Sequence, residues 1–159
     1  MNHIKNVRET GFGLQGEVFF GLFDKFKDLI IEDDSTAEFA EDCAELLNSL
    51  DDDVINWLCR ASELYCNDFL YQVGEPQLEF QNSRSVLEKV YPGGLIVPPP
   101  NENRTPVVWM KLRCVWEEEH GMEWVIRNNR VYYVGAYGGS NPHGDFDGND
   151  FWNYASQVK

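Results

Sequence analysis

Between Pro106 and Tyr137 the chain alternates apolar and polar residues more regularly than anywhere else along its length. Val108, Met110, Leu112, Cys114 and Trp116 form an apolar row at period two, and Lys111 and Arg113 stand on the opposite row. That spacing predicts a half-buried strand whose core face is the even one. The alternation resumes with Met122, Trp124 and Ile126 on one side and Glu123, Val125 and Arg127 on the other. Asn128-Asn129 then supplies two residues that tolerate positive φ, the chemistry of a tight hairpin turn. With those two asparagines as the whole loop, Ile126 is expected opposite Val131 and Trp124 opposite Tyr133.

Upstream, the pattern changes period. Residues 1 to 15 read as an irregular lead-in or an edge strand. Glu17–Phe23 and Asp28–Glu32 are short apolar runs whose aromatic and β-branched content favours a hairpin, with a helix from Asp24 to Leu29 as the competing reading. Ser35 followed by Glu38 makes a capping box, and Phe39, Cys43, Leu46, Leu47 and Leu50 recur at helical spacing behind it. Asp51-Asp52-Asp53 offers a second N-cap before the stripe Val54, Leu58, Ala61, Tyr65 and Phe69. The short link between these helices predicts an antiparallel hairpin. Gly74-Glu75-Pro76 should stop the second helix, Ser85–Tyr91 reads as a short helix, and Pro92-Gly93-Gly94 should end it. Leu95-Ile96-Val97 is then a short strand running into the extended Pro98-Pro99-Pro100. A loop from Gly138 to Gly144 and a short aromatic helix within Asp145–Lys159 complete the chain. The expectation is one α+β domain over residues 1–159, in which an antiparallel C-terminal meander packs on an α-helical hairpin, preceded by an N-terminal β segment.

Charge narrows the functional classes. The 159 residues carry 27 acidic and 13 basic side chains, a formal net charge of −14. Such a balance disfavours nucleic acid and anionic membranes and favours a basic protein partner. No run of roughly 20 apolar residues would span a bilayer, and the N-terminus lacks a signal-like segment, so a cytoplasmic protein is expected. The cysteines Cys43, Cys59, Cys66 and Cys114 contain no CxxC pair and fall on apolar faces, where buried reduced thiols are the simplest reading.

Two stretches carry candidate chemistry. Glu117-Glu118-Glu119-His120-Gly121 sits between two strands, with Trp116 leading in. Strict alternation would put at most Glu117 with Glu119, or Glu118 with His120, on one side. The cluster fails the HExxH spacing of zinc enzymes, and a turn with Gly121 at its bend is the simpler assignment. The oxygen-rich run Asp145, Asp147, Asn149 and Asp150 lacks the glycine and glutamate register of a calcium loop and reads as a turn with an Asx-type cap for the last helix. His3 and His143 have no partner nearby in sequence and are expected at the surface. Glu41, Asp42 and Glu45 lie on the solvent side of the first predicted helix, where they would steer a basic ligand or simply be solvated.

The segment Cys114–Trp124, CVWEEEHGMEW, resembles a bacterial family of small α+β domains of uncharacterised function. Its members carry a tryptophan–acidic–x–Glu–His–Gly signature between two C-terminal strands. Similar domains occur among proteins proposed to be immunity proteins of polymorphic-toxin systems, and the resemblance implies such a role here. The leading expectation is therefore a non-enzymatic cytoplasmic binding protein, with no cofactor, that neutralises a basic toxin. Its contact residues would be drawn from Trp116, Glu117, Glu119, His120, Glu41, Asp42 and Glu45. The rivals are a metal-assisted hydrolase or ligand-binding domain built on Glu117, Glu119 and His120, and a domain that only dimerises through an edge strand.

Overall fold

The computed structural model describes residues 2–148 and 152–158. Seven strands lie in one sheet in the order of the chain: β1 (Ile4–Thr10), β2 (Gly13–Phe20), β3 (Lys25–Ile31), β4 (Val90–Val97), β5 (Val107–Cys114), β6 (Glu117–Arg127) and β7 (Arg130–Ala136). All neighbours are antiparallel except β3 and β4. Parallel neighbours cannot be joined by a tight turn, so the intervening chain must cross a face of the sheet. It does so as α1 (Ala37–Leu47) and α2 (Asp52–Gln72). The fold is α+β, a meander packed against two helices with β strands at the N-terminus.

The helices lie where their apolar stripes dictate. α1 rests against β1, β2, β4 and β5 through Phe39, Ala40, Cys43 and Ala44, and α2 runs along β7. Beneath them the sheet contributes Phe20, Leu29, Ile31, Leu95, Met110, Leu112, Met122, Trp124 and Ile126, all essentially inaccessible to solvent. Each such side chain contributes about 1.5–3 kcal/mol by leaving water. Trp124 Nε1 donates to Ser62 Oγ (3.0 Å), so the one polar atom of the largest core residue is satisfied.

Both helix starts are capped, the first differently from expectation. Thr36 Oγ1 accepts from Phe39 N at 3.1 Å and caps α1, whereas Ser35 Oγ donates to Pro98 O across the fold. Asp51 Oδ1 accepts from Val54 N at 2.9 Å and caps α2. α1 ends at Leu47 and not near Leu50, because Asn48 turns away to bond Gly21 N and Phe19 O.

The edge-strand reading of the N-terminus holds: Ile4–Thr10 forms β1 at the sheet's edge, with a register shift between Lys5 and Arg8 where Asn6 takes φ 57°. Elsewhere the local pattern misled. Ser85–Lys89 is a single 3-10 turn, and Val90–Gly94 belongs to β4, not to a helix and its stop. Pro92-Gly93 sits at the register shift opposite β5, where a missing N–H is tolerated. The last segment forms turns in place of the expected helix, and the part of that expectation resting on residues 149–151 lies outside the described residues. Its Asn153 and Tyr154 cover β7: Asn153 Nδ2 donates to Tyr132 O (2.7 Å), Asn153 Oδ1 accepts from Val134 N (3.3 Å), and Tyr154 N donates to Val134 O (2.9 Å). An exposed ladder edge is thereby closed.

Candidate functional site

The Asn128-Asn129 turn takes φ 51° and 56°, pairs Arg127 with Arg130 and sets Ile126 opposite Val131. A register shift follows at once, so Trp124 faces Val134 and Val125 faces Tyr133, in place of the Trp124–Tyr133 pair expected from strict register.

At the other end of β6 the irregularity is larger. Leu112 pairs with Met122 and Cys114 with Glu117, so five residue steps of β6 match two of β5. The surplus bulges out, Gly121 closes it at φ 77°, and a Cβ there would lie 2.5 Å from Leu112 O. Alternation therefore fails, and Glu117 meets His120 directly. Glu117 Oε1 accepts from Glu119 N (2.9 Å) and His120 N (3.2 Å), and Oε2 lies 2.8 Å from His120 Nδ1. Burial raises the carboxyl's pKa, but the imidazole and the two N–H groups outweigh it and hold Glu117 below the usual range. The same contact, with the charges of Glu117 and Glu119, raises the pKa of His120. Both oxygens of Glu117 are occupied in holding the bulge. Glu119 and His120 are exposed, while Trp116 is only 7 % exposed and packs edge-on against Tyr65.

The acidic residues of α1 belong to a different place. Cys43 Sγ approaches the backbone of Val107, at the start of β5, whereas the Glu117 cluster adjoins its end at Cys114. Seven residue steps of strand separate them by about 23 Å. Asp42 and Glu45 are exposed, but Glu41 is half-buried, with Oε1 accepting from His3 N at 2.7 Å. His3 is not at the surface as expected: its side chain is 13 % exposed and Nε2 lies 3.5 Å from Glu45. His143 is likewise engaged, with Nε2 3.2 Å from Pro99 O and its ring beside Phe39, and burial pushes its pKa down.

The arrangement that sequence reasoning missed is on the sheet face away from the helices. There Ile96, Trp109 and Val125 are covered by Tyr132, Tyr133, Tyr137 and Phe146. Among them Glu123 is fully buried. Its Oε2 accepts from Trp109 Nε1 (2.5 Å) and Ser140 N (3.1 Å), and its Oε1 from Ser140 Oγ (3.0 Å) and Gly138 N (3.4 Å). Four residues on, along the same face of β6, Arg127 donates to Pro142 O (2.5 Å) and Gly144 O (2.8 Å) and stacks 3.9 Å from the Tyr132 ring centroid. One buried acid and one stacked base thus hold alternate positions of the glycine-rich stretch 138–144 against the sheet. A lone acid and a lone base four residues apart, followed by a long glycine-rich segment, was the signal available in sequence.

Beyond that stretch, Asp145 Oδ1 accepts from Asp147 N at 2.9 Å, the expected Asx turn; Asn149 and Asp150 lie outside the described residues. Among the described residues no group of three or more His, Cys, Asp or Glu side chains is placed to hold a metal ion. The four cysteines are free and buried, and burial raises every thiol, Cys59 to about 11 and the others to about 12. They are poor nucleophiles in that state. No helix among the described residues is long and apolar enough to cross a membrane.

No curated protein and no solved structure matches the chain. Residues 3–142 match the family model described as a domain of unknown function, DUF6985, and the chain belongs to that family.

Proposed function

We propose that this chain is a non-enzymatic cytoplasmic binding protein that captures a basic protein, and that the partner is a toxin it neutralises, as in bacterial toxin–immunity pairs. One observation carries the reading. From Ala37 to Asp53, across α1 and the start of α2, the sequence has seven carboxylates and no basic residue. Glu38, Asp42, Glu45, Asp51, Asp52 and Asp53 are all exposed, and the pairs Arg84–Asp52 (2.8 Å) and His3–Glu45 (3.5 Å) leave most of that charge unanswered. A protein that cleaves nucleic acid needs a basic groove, and an acidic helical layer on a chain of net charge −14 is complementary to it. Such complementarity raises the association rate and rejects acidic competitors.

The experiment is co-expression with the product of the adjacent gene, scored by growth and by co-purification. A neighbour that is toxic alone, and harmless in a complex weakened at least tenfold by the triple substitution Glu38→Lys, Asp42→Lys and Glu45→Lys, supports the reading. A harmless neighbour that does not co-purify removes it.

A further inference from the structure

Next to the clamped stretch is an open cavity of about 420 Å³, within the roughly 300–1,000 Å³ typical of ligand clefts. Its walls include Tyr133, Ser140, Asp145, Phe146 and Trp152. The rings of Tyr133 and Phe146 lie 5.8 Å apart at 31°. Trp152 is 73 % exposed, and Asp145 is an exposed carboxylate. An exposed tryptophan beside two tilted rings and an acid is matched by few ligands. An apolar group would make no use of the carboxylate oxygen that Asp147 N does not engage, and an anion would meet the charge head-on. A planar cation answers both, lying on the ring faces while its N–H groups reach the carboxylate. The chain already uses this chemistry beside the cavity, since Arg127 lies 3.9 Å from the Tyr132 centroid and 5.9 Å from that of Phe146, and Arg130 lies 5.1 Å from that of Tyr132. That guanidinium is committed to the Pro142 and Gly144 carbonyls. Among the described residues the charged groups around the cavity are then Asp145, Asp147, buried Glu123, Arg127 and Arg130, in which the acids still outnumber the bases. The walls are also preorganised, because Glu123 and Arg127 fix Gly138, Ser140, Pro142 and Gly144 before any ligand arrives.

We propose that this cavity receives an arginine side chain presented by a basic protein partner, with Tyr133, Phe146 and Trp152 as stacking faces and Asp145 as the counter-ion. The proposal rests on the capture of a basic protein and adds the anchor that fixes its pose, distant in chemistry from the steering layer on α1. Arginine is favoured over lysine because a flat guanidinium can stack and bond a carboxylate at the same time.

The test is an NMR titration of the full ¹⁵N-labelled chain with N-acetyl-arginine amide, with N-acetyl-leucine amide as control. The Trp152 indole signal is identified from Trp152→Phe. The expected result is movement of the Trp152 indole, Ser140 and Asn141 signals with the arginine probe alone, weakened about fivefold in Asp145→Asn. Asparagine keeps an oxygen to accept from Asp147 N, so that variant retains the turn. Shifts confined to α1, or an affinity unchanged in Asp145→Asn, would overturn the proposal. If the neighbouring gene's product binds and the complex is weakened by the α1 reversals but indifferent to Asp145→Asn, the cavity assignment falls and the capture reading stands. An arginine probe seated in the cavity of a chain that binds no basic protein would overturn the assignment of the ligand to a protein.

Discussion

Two glutamates on one strand, six residues apart, each collect several donors and do different work. Among the described residues the Glu117 carboxylate binds partners within three residues, Glu119 N, His120 N and the His120 ring, at the rim of the sheet. Glu123 binds Trp109 on the neighbouring strand and reaches residues 138 and 140 from a fully buried position. The first ties a bulge to itself; the second ties a distant segment to the fold. Water at the rim can reach the partners of Glu117, whose own side chain is 12 % exposed but whose neighbour His120 is open to solvent, whereas donors left facing a dry hole keep the whole desolvation cost. The difference predicts how strongly each region responds to damage.

The largest expected effect is at Glu123. Glu123→Ala strands the Trp109 indole N–H, the Ser140 hydroxyl and two backbone N–H groups, and should cost about 3–4 kcal/mol, since breaking a buried charged network runs to about 3–5. Urea unfolding should show a lower midpoint with a similar slope. A loss under about 1 kcal/mol would mean that water takes over the donors and that Glu123 is no clamp. Glu123→Gln, which preserves shape but offers an N–H₂ where acceptors are needed, should fall between the two.

Gly121→Ala comes next, and it is where the exposed region should prove fragile in its backbone and not in its side chains. The new Cβ meets Leu112 O at 2.5 Å with φ at 77°, and the combined strain and clash should cost about 2–3 kcal/mol. His120→Ala, a few ångströms away, should leave the melting midpoint where it is. Equal effects from the two would invert the comparison.

Arg127→Met keeps the apolar stem over Tyr132 but removes two charge-assisted bonds to the Pro142 and Gly144 carbonyls. A cost of about 1–2 kcal/mol is expected, because the group is only part-buried. Hydrogen exchange should localise it: amides of 140–146 exchange faster while those of β5 and β6 hold their protection. Uniform loss of protection across the sheet would assign Arg127 to the global core.

How far the sequence discloses these regions follows the range of the forces involved. The even row of β5 was legible because period two needs only one covered face, and Val108, Met110, Leu112 and Cys114 are all buried. Asn128-Asn129 was legible because a left-handed pair is a local requirement. The Glu117–His120 contact was not, since it needs the bulge that Gly121 closes, and alternation rules speak only for regular strand. Thr36 won the cap from Ser35 because Ser35 is drawn to Pro98, a residue remote in sequence. Trp109 stands on the row read as exposed, yet it is buried, because Tyr137 and Phe146 return over that face; Val107, on the same row, is buried in the main core instead. Glu123 was hidden for the same reason: what buries it arrives 15 to 17 residues later. The acidity of residues 38–53 was plain, but that Glu41 is half-buried against His3 N required the register of β1.

The smallest effect tests the sharpest detail of the exposed region. His120 is held above its ordinary value of 6.5 first by its bond to Glu117 and then by the nearby carboxylate charges. Glu117 is held below its ordinary 4.5, with the imidazole and N–H groups outweighing burial. A raised histidine contributes stability in full below 6.5 and loses it as pH climbs through the raised value. A lowered carboxyl contributes above 4.5 and loses it as pH falls through the lowered value. The pair is therefore at full strength between those two limits and fades on either side. His120 is largely exposed and the pair sits at the rim of the sheet, so melting curves should barely register the change; the histidine ring signals will. In a proton NMR titration His120 should turn over above 6.5 and fall back toward the ordinary value in Glu117→Gln, with the Glu119 charge still acting on it. His143, lowered by its partial burial and by the Arg127 charge against the opposing bond to Pro99 O, should turn over below 6.5 in both proteins. A His120 midpoint that does not move in Glu117→Gln would dissolve the pair in solution and leave Gly121 as the sole determinant of the bulge.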